Sequence, residues 1–114
     1  MSDSIFGKII RREIPAQIVY EDDEVLAFRD IHPQAPVHVL FIPKQAIPTL
    51  NELGADQALL VGKLVLAASR YAQAEGYGER GYRVVMNCNA DGGQTVFHIH
   101  LHLLAGRALT WPPG

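Results

Sequence analysis

The stretch Phe97-His98-Ile99-His100-Leu101-His102-Leu103-Leu104 decides how this chain is read. Successive side chains of a strand point to opposite faces. Over this run that puts His98, His100 and His102 on one face, and Ile99, Leu101 and Leu103 on the other. The apolar face reads as core. Same-face neighbours along a strand stand about 6.6 Å apart, so one bound group can meet several imidazoles. The spacing predicts a strand over Thr95 to Leu104.

Working outward, Tyr82 to Met86 reads as a strand before it, joined to it by Asn87 to Gln94. Gln17 to Glu21 and Val25 to Asp30 read as strands linked by the turn-forming Glu21-Asp22-Asp23. His38 to Ile42 is another, after a loop over Ile31 to Pro36 that holds two prolines. Asp56 to Glu75 is the one long helix, with Asp56 as N-cap and Gly76 in the left-handed C-terminal position. Leu60, Leu64, Ala67 and Tyr71 line its apolar side, whereas Gln57, Lys63, Arg70 and Gln73 suit water. Ile5 to Ile14 reads as a short helix, capped by Ser4 and ended by Pro15. The class expected is α+β, a five-stranded, mainly antiparallel sheet with one long and one short helix.

With 114 residues the chain fits a single domain. Ten Lys+Arg against twelve Asp+Glu give a net charge of -2, which disfavours polymeric nucleic acid as a partner. A small anion remains open, since a few local donors hold one phosphate whatever the net charge. The single cysteine, Cys88, rules out an intrachain disulfide and suits a reducing compartment. Its neighbours name no partner for it, so it reads as a small strand-end residue and not a nucleophile. Met1-Ser2-Asp3-Ser4 bears an acid where a signal peptide is basic, and no apolar run approaches membrane-spanning length. A cytoplasmic location without membrane association is expected.

Three histidines on one face have three readings. One is a strand whose outer face is merely His-rich. Another is a zinc site, although no Cys or Glu lies nearby to complete it. The third is imidazole chemistry on phosphorus: a neutral ring attacks, and a neighbouring ring protonates the leaving group. Asp91-Gly92-Gly93-Gln94-Thr95 reads as a turn, and directly before the histidines it can also turn free backbone N–H groups toward an anion.

His98-Ile99-His100-Leu101-His102-Leu103-Leu104 resembles the histidine-triad motif, His-φ-His-φ-His-φ-φ with φ apolar, at every position. Ile5-Phe6-Gly7-Lys8-Ile9-Ile10, Phe28-Arg29-Asp30-Ile31, Pro33-Gln34-Ala35-Pro36-Val37-His38, Asp91 to Thr95 and Trp111-Pro112-Pro113-Gly114 are similar to blocks of its Hint branch, in the same order. That branch comprises purine nucleoside phosphoramidases. The resemblance implies one domain over 5–114, with a tail over 105–114. It implies His100 as nucleophile toward the α-phosphorus, His102 as proton donor to the leaving group, and His98 and His38 completing the cluster. Asp30 would take the ribose hydroxyls. Gly93, Thr95 and Asn87 would meet the phosphate, and Phe6, Ile14, Phe28 and Ile31 would form the purine slot. Ile5, Phe6, Ile9, Ile14, Phe28, Ile31 and Leu40 all read as core in isolation. Arg29 stands where the branch often has histidine and would bear on base or leaving-group preference. Thr95 keeps the hydroxyl of the serine more usual there. The resemblance further implies a purine nucleoside monophosphate or phosphoramidate as ligand, no metal and no cofactor. It also implies a two-fold homodimer with a ten-stranded sheet, each tail and its Trp111 near the partner's site. A nucleotide-binding regulatory module and a dinucleoside polyphosphate hydrolase stay open as alternatives.

Overall fold

In the computed structural model, which describes residues 3–114, Ser4 starts the first helix. Its hydroxyl accepts the Gly7 N–H at 3.1 Å, satisfying one of the donors that a helix start leaves free. Met1 and Ser2, part of the acid-bearing start read above, lie outside the described residues. Helix α1 spans Ile5–Ile10 and is shorter than expected. It stops before Pro15 is reached, because Arg12 adopts a left-handed φ of 62°. The Arg12 and Glu13 N–H groups then close back on Ile9 O and Lys8 O, the paired bonds of a Schellman end.

The strands are β1 (Ile18–Glu21), β2 (Val25–Arg29), β3 (Val37–Pro43), β4 (Arg83–Val85) and β5 (Leu101–Ala105). They form one sheet in the order β1-β2-β3-β5-β4, with every neighbouring pair antiparallel. Helix α2, Ala58–Ala74, is entered through two 3-10 turns, Leu50–Glu52 and Ala55–Gln57. Asp56 therefore lies in the lead-in turn and is not the cap. Gly76 closes the far end at φ 93°, as expected. A one-turn helix, α3 (Asn89–Gly92), occupies part of the segment read as a plain turn.

The sheet separates two cores. Val25, Ala27, Val39, Phe41, Leu101 and Leu103 face α2 and pack on Leu60, Leu64, Ala67, Ala68 and Ala72. Leu26, Phe28, Leu40 and Ile42 face the other way and pack on Phe6 and Ile9 of α1. Ile14 is half-buried against this second core. Ile5 and Ile31 are exposed, Ile31 at 84%, so both depart from the core reading: Ile5 lies on the outer side of α1 and Ile31 in the loop after β2.

The largest correction concerns β5. It begins at Leu101 and not at Thr95, because its neighbour β3 pairs with it only from Val37↔Ala105 to Phe41↔Leu101. Beyond Phe41, β3 pairs with β2 alone. His98 and His100 consequently lie on irregular backbone, held by other means: Ile99 N–H donates to Ile47 O at 2.8 Å.

Candidate active site

His38 and His102 meet through sheet register. His38 lies opposite Leu104 and Leu40 opposite His102, so the two histidines are diagonal neighbours on the α1 side of the sheet. His38 Nε2 stands 2.9 Å from His102 Nδ1. His100 comes next, its ring centroid 4.9 Å from that of His102. Phe6 of α1 stands edge-on to His100 at 5.1 Å, to Phe28 at 5.3 Å and to His98 at 6.2 Å. All four histidines thus converge although only His38 and His102 are in strands.

The bonds made by each ring fix where its proton sits. The Gln34 N–H donates to His38 Nδ1 at 3.0 Å, so that nitrogen is bare and the neutral ring carries its proton on Nε2. From there it donates to His102 Nδ1, which leaves the His102 proton on Nε2. His100 Nδ1 stands 2.8 Å from His98 O, and a carbonyl only accepts; the proton is on Nδ1 and Nε2 keeps a free lone pair. His98 Nε2 donates to Pro43 O at 2.7 Å. His100 therefore carries a bare Nε2, and the neighbouring ring of His102 carries an Nε2–H.

Burial lowers the proton affinity of all four rings. For His98 and His100 it outweighs the carbonyl bonds that favour the charged form, and for His38 it outweighs the attraction of Asp30. His102 is depressed furthest, to about 4, by burial and then by the positive charge that His100 and His38 would bring. The whole group is neutral near pH 7.

Asp30 follows β2 directly, with Oδ2 3.4 Å from His38 Nε2. Its Oδ1 accepts the His32 N–H at 2.8 Å, so the carboxylate shapes the loop as well as facing the histidines. Among the described residues, Asp30, His38 and His102 bring donor atoms close enough to hold a metal ion, all within 4.8 Å of one another.

Of the other expected residues, Phe6 stands directly against this group. Phe6, Phe28 and half-buried Ile14 share the adjacent core, whereas Ile31 points to water. Gly93 adopts φ 86° at the end of α3, with open space where a side chain would be, and Thr95 is exposed. Between them, buried Gln94 pins the loop: its Nε2 donates to Pro48 O and Val96 O, and its Oε1 accepts from Asn89 N–H. Asn87 is half-buried and lies against Gly92.

Arg29 is not brought to the histidines. It pairs with Val39, whose side chain faces α2, and its positive charge acts on Tyr71 of that helix. Alternation along β2, Phe28 toward α1 and Arg29 away, was the available signal. Among the described residues, the Arg29 Nε is buried without a hydrogen-bond partner. Trp111 is 81% exposed in the single chain, not packed against it. Three contributors carried no signal of their own in the sequence: the Gln34 N–H, the Pro43 carbonyl and the His98 carbonyl act through backbone, where residue identity says little.

Comparison with known proteins places these features in a wider group. The profile described as HIT domain matches residues 11–109. An uncharacterized HIT-like protein of Synechococcus elongatus is 62% identical over 112 residues, covering 98% of this chain and 97% of that protein. The purine nucleoside phosphoramidase of Escherichia coli K12 is 55% identical over 107 residues, covering 94% and 90%. The crystal structure of a HIT family hydrolase from Legionella pneumophila superposes with a TM-score of 0.96 at 54% identity, covering 98% of this chain and all of that one. A histidine triad protein from Clostridium difficile gives 0.92 at 42% identity, covering 96% of each.

Proposed function

The chain belongs to the HIT domain family, and from that premise we propose that it is a purine nucleotide phosphoramidase working through His100. The observation that carries the reading is the bare His100 Nε2 beside the His102 Nε2–H. The first nitrogen attacks the α-phosphorus of an adenosine or guanosine 5′-phosphoramidate, or of an acyl adenylate. As the Nε2–P bond forms, the bond from phosphorus to the leaving nitrogen or oxygen breaks, and His102 protonates the departing group. Water then opens the P–Nε2 bond, its hydroxyl going to phosphorus and its proton to His102, and the nucleoside monophosphate leaves.

The proton for the first step is a second one, which His102 takes up from solvent as substrate binds, since a neutral imidazole has none to spare. A bound phosphoryl group sets an anion beside His102 and raises a proton affinity that burial otherwise depresses. Asp30, near His38, balances the charge that results. The chemistry needs no metal, and Phe6, Phe28 and Ile14 offer apolar walls for the base, with Asp30 placed for the ribose. The backbone around Gly93 and Thr95 and the side chain of Asn87 serve the phosphate.

The same reading makes the domain, over 5–114, one half of a two-fold dimer, with the 105–114 tail of each copy serving the other. No helix of the described residues is long and apolar enough to cross a membrane, and the single cysteine fits a reducing cytoplasm.

The test is turnover of adenosine 5′-phosphoramidate against diadenosine polyphosphates, each with and without chelator. Preference for the phosphoramidate, unaffected by chelator, is expected; preference for the dinucleotides makes the chain a polyphosphate hydrolase instead. His100→Ala should lower turnover by several orders of magnitude while monophosphate binding stays measurable. Turnover within tenfold of the parent would end the covalent mechanism.

A further inference from the structure

The His38–His102 pair and the loop beside it compete for one nitrogen. The two rings hold four nitrogens, and the neutral pair carries two protons. His38 Nε2 and His102 Nδ1 face each other at 2.9 Å, with room for one proton between them. A third proton, the one that charges the pair, therefore puts an N–H on both outer nitrogens, His102 Nε2 and His38 Nδ1. This holds whichever ring bears the charge. Yet His38 Nδ1 already accepts the Gln34 N–H at 3.0 Å, and two donors cannot share that contact. Gln34 is exposed and lies in the loop over residues 31–36, outside every strand, whereas His38 and His102 belong to the paired strands β3 and β5. On the β2 side Asp30 Oδ2 stands 3.4 Å from His38 Nε2, and His100 lies next to His102. From the tail, Arg107 Nε donates to Gln34 O at 3.0 Å. Helix α1 faces the histidines with Phe6, which carries no charge.

We propose that the Gln34 peptide N–H is a positioning group that holds the His38–His102 pair in its neutral form, and that the loop over residues 31–36 releases His38 when the pair takes up its third proton. Of the two contacts in conflict, the one to Gln34 yields. Once the pair is charged, the bond between the rings is charge-assisted and about twice as strong as a neutral one, whereas the Gln34 bond joins neutral groups. An exposed loop also moves more readily than two strands of one ladder. The catalytic consequence rests on the phosphoramidase reading. Charged His102 carries an N–H on both nitrogens. It gives the Nε2 proton to the leaving group and keeps the Nδ1 proton, which His38 Nε2 accepts. Its bare Nε2 then takes the proton of the attacking water in the second step. Gln34 N–H regains His38 Nδ1 once the product has left and the third proton has returned to solvent. The nucleophile, fixed separately by His98 O, is untouched.

The experiment follows the histidine ring nitrogens and the Gln34 amide by nitrogen-15 NMR as the protein is titrated from neutral pH down through the charging of the pair. At neutral pH His38 should show a bare Nδ1 and a protonated Nε2. As the pair charges, His38 Nδ1 should gain a proton, and the Gln34 amide should shift with the same midpoint. A second arm removes the donor: Gln34→Pro has no N–H, and Gln34→Ala keeps it. Gln34→Pro should raise the midpoint by about one pH unit, the strength of one hydrogen bond that charging no longer breaks. The alkaline limb of kcat on adenosine 5′-phosphoramidate should move up by the same amount, and Gln34→Ala should leave the midpoint in place. The parent titration carries the test if the proline variant does not fold, and the alkaline limbs carry it if acid unfolds the parent before the pair charges. A His38 that keeps a bare Nδ1 in the charged pair would mean that the rings part instead, with His38 Nε2–H turning to Asp30 Oδ2, and would overturn the release. So would a Gln34→Pro midpoint or limb equal to the parent's, or an equal rise in Gln34→Ala. The ring spectra need no substrate, so they decide the release even if the parent proves not to hydrolyse phosphoramidates, which would defeat the phosphoramidase reading alone.

Discussion

A carbonyl oxygen, that of His98, takes the His100 Nδ1 proton, and from that one bond follows which nitrogen has a lone pair to offer. Burial keeps the neighbouring rings neutral, and this has a cost that depends on pH. Four histidines whose folded proton affinity is lowered bind fewer protons in the native state than in the unfolded chain, where they titrate near 6.5. Their contribution is fully present above pH 6.5 and shrinks as pH falls toward the folded value, which is about 4 for His102. Urea midpoints should therefore drop between pH 7 and pH 4.5 by the equivalent of a few kcal/mol, and His102→Asn should flatten that slope. A slope unchanged in the variant would show that carboxylates elsewhere carry it. At Asp30, the alanine variant should weaken ribonucleotides and hardly affect 2′,3′-dideoxy analogues, because only the former lose bonds to the carboxylate, worth about 1 to 3 kcal/mol when buried. Equal weakening of both, measured by calorimetry, would leave Asp30 with only its loop bond to His32 N–H.

Helix α1 is the element that joins stability to chemistry, since Phe6 belongs to the second core and also touches two histidine rings. Phe6→Ala should cost about 3 to 5 kcal/mol in chemical denaturation and lower turnover too, because the His100 ring loses one wall. A stability loss below about 1 kcal/mol would mean that α1 lies loosely on the sheet. The elements also show what the sequence could disclose. Apolar periodicity placed α2, and Gly76 marked its end, because both signals are local. Helix α1 ends early through a left-handed arginine, a conformation for which Arg12 offers no sequence sign. The alternation around the histidines was legible as faces but not as ladder. Ile99, Leu101 and Leu103 do enter the α2-side core, yet strand pairing stops where β3 turns to β2 alone. The bond from Arg107 to Gln34 spans 73 positions of sequence, which no local pattern reports.

On the scale of the whole molecule, α2 is apolar on more sides than one chain can cover. Leu60, Leu64, Ala67, Ala68 and Ala72 fill the core, but Leu59, Val65 and Leu66 remain exposed on the outer surface, Leu59 at 71%. Exposed apolar side chains gathered on one helix suit an interface with a second copy. A second uncovered feature is β4, an edge strand of three residues with an exposed Val84. Exposed edges are normally paired or blunted, and β4 carries no proline or bulge to blunt it. Two copies related by a two-fold axis would cover both features at once, β4 against β4 and α2 against α2, giving an isologous interface. The exposed Trp111, the one tryptophan of the chain, then reports on the partner's site. Sedimentation at micromolar concentration should show a dimer. Leu59→Glu with Leu66→Glu should give a folded monomer, because neither side chain supports the fold of its own chain. Nucleotide should change Trp111 fluorescence in the parent dimer and leave it unaltered in that monomer. A parent that sediments as a monomer would sink the assembly, and an equal fluorescence response in the monomer would show that the tail serves its own chain.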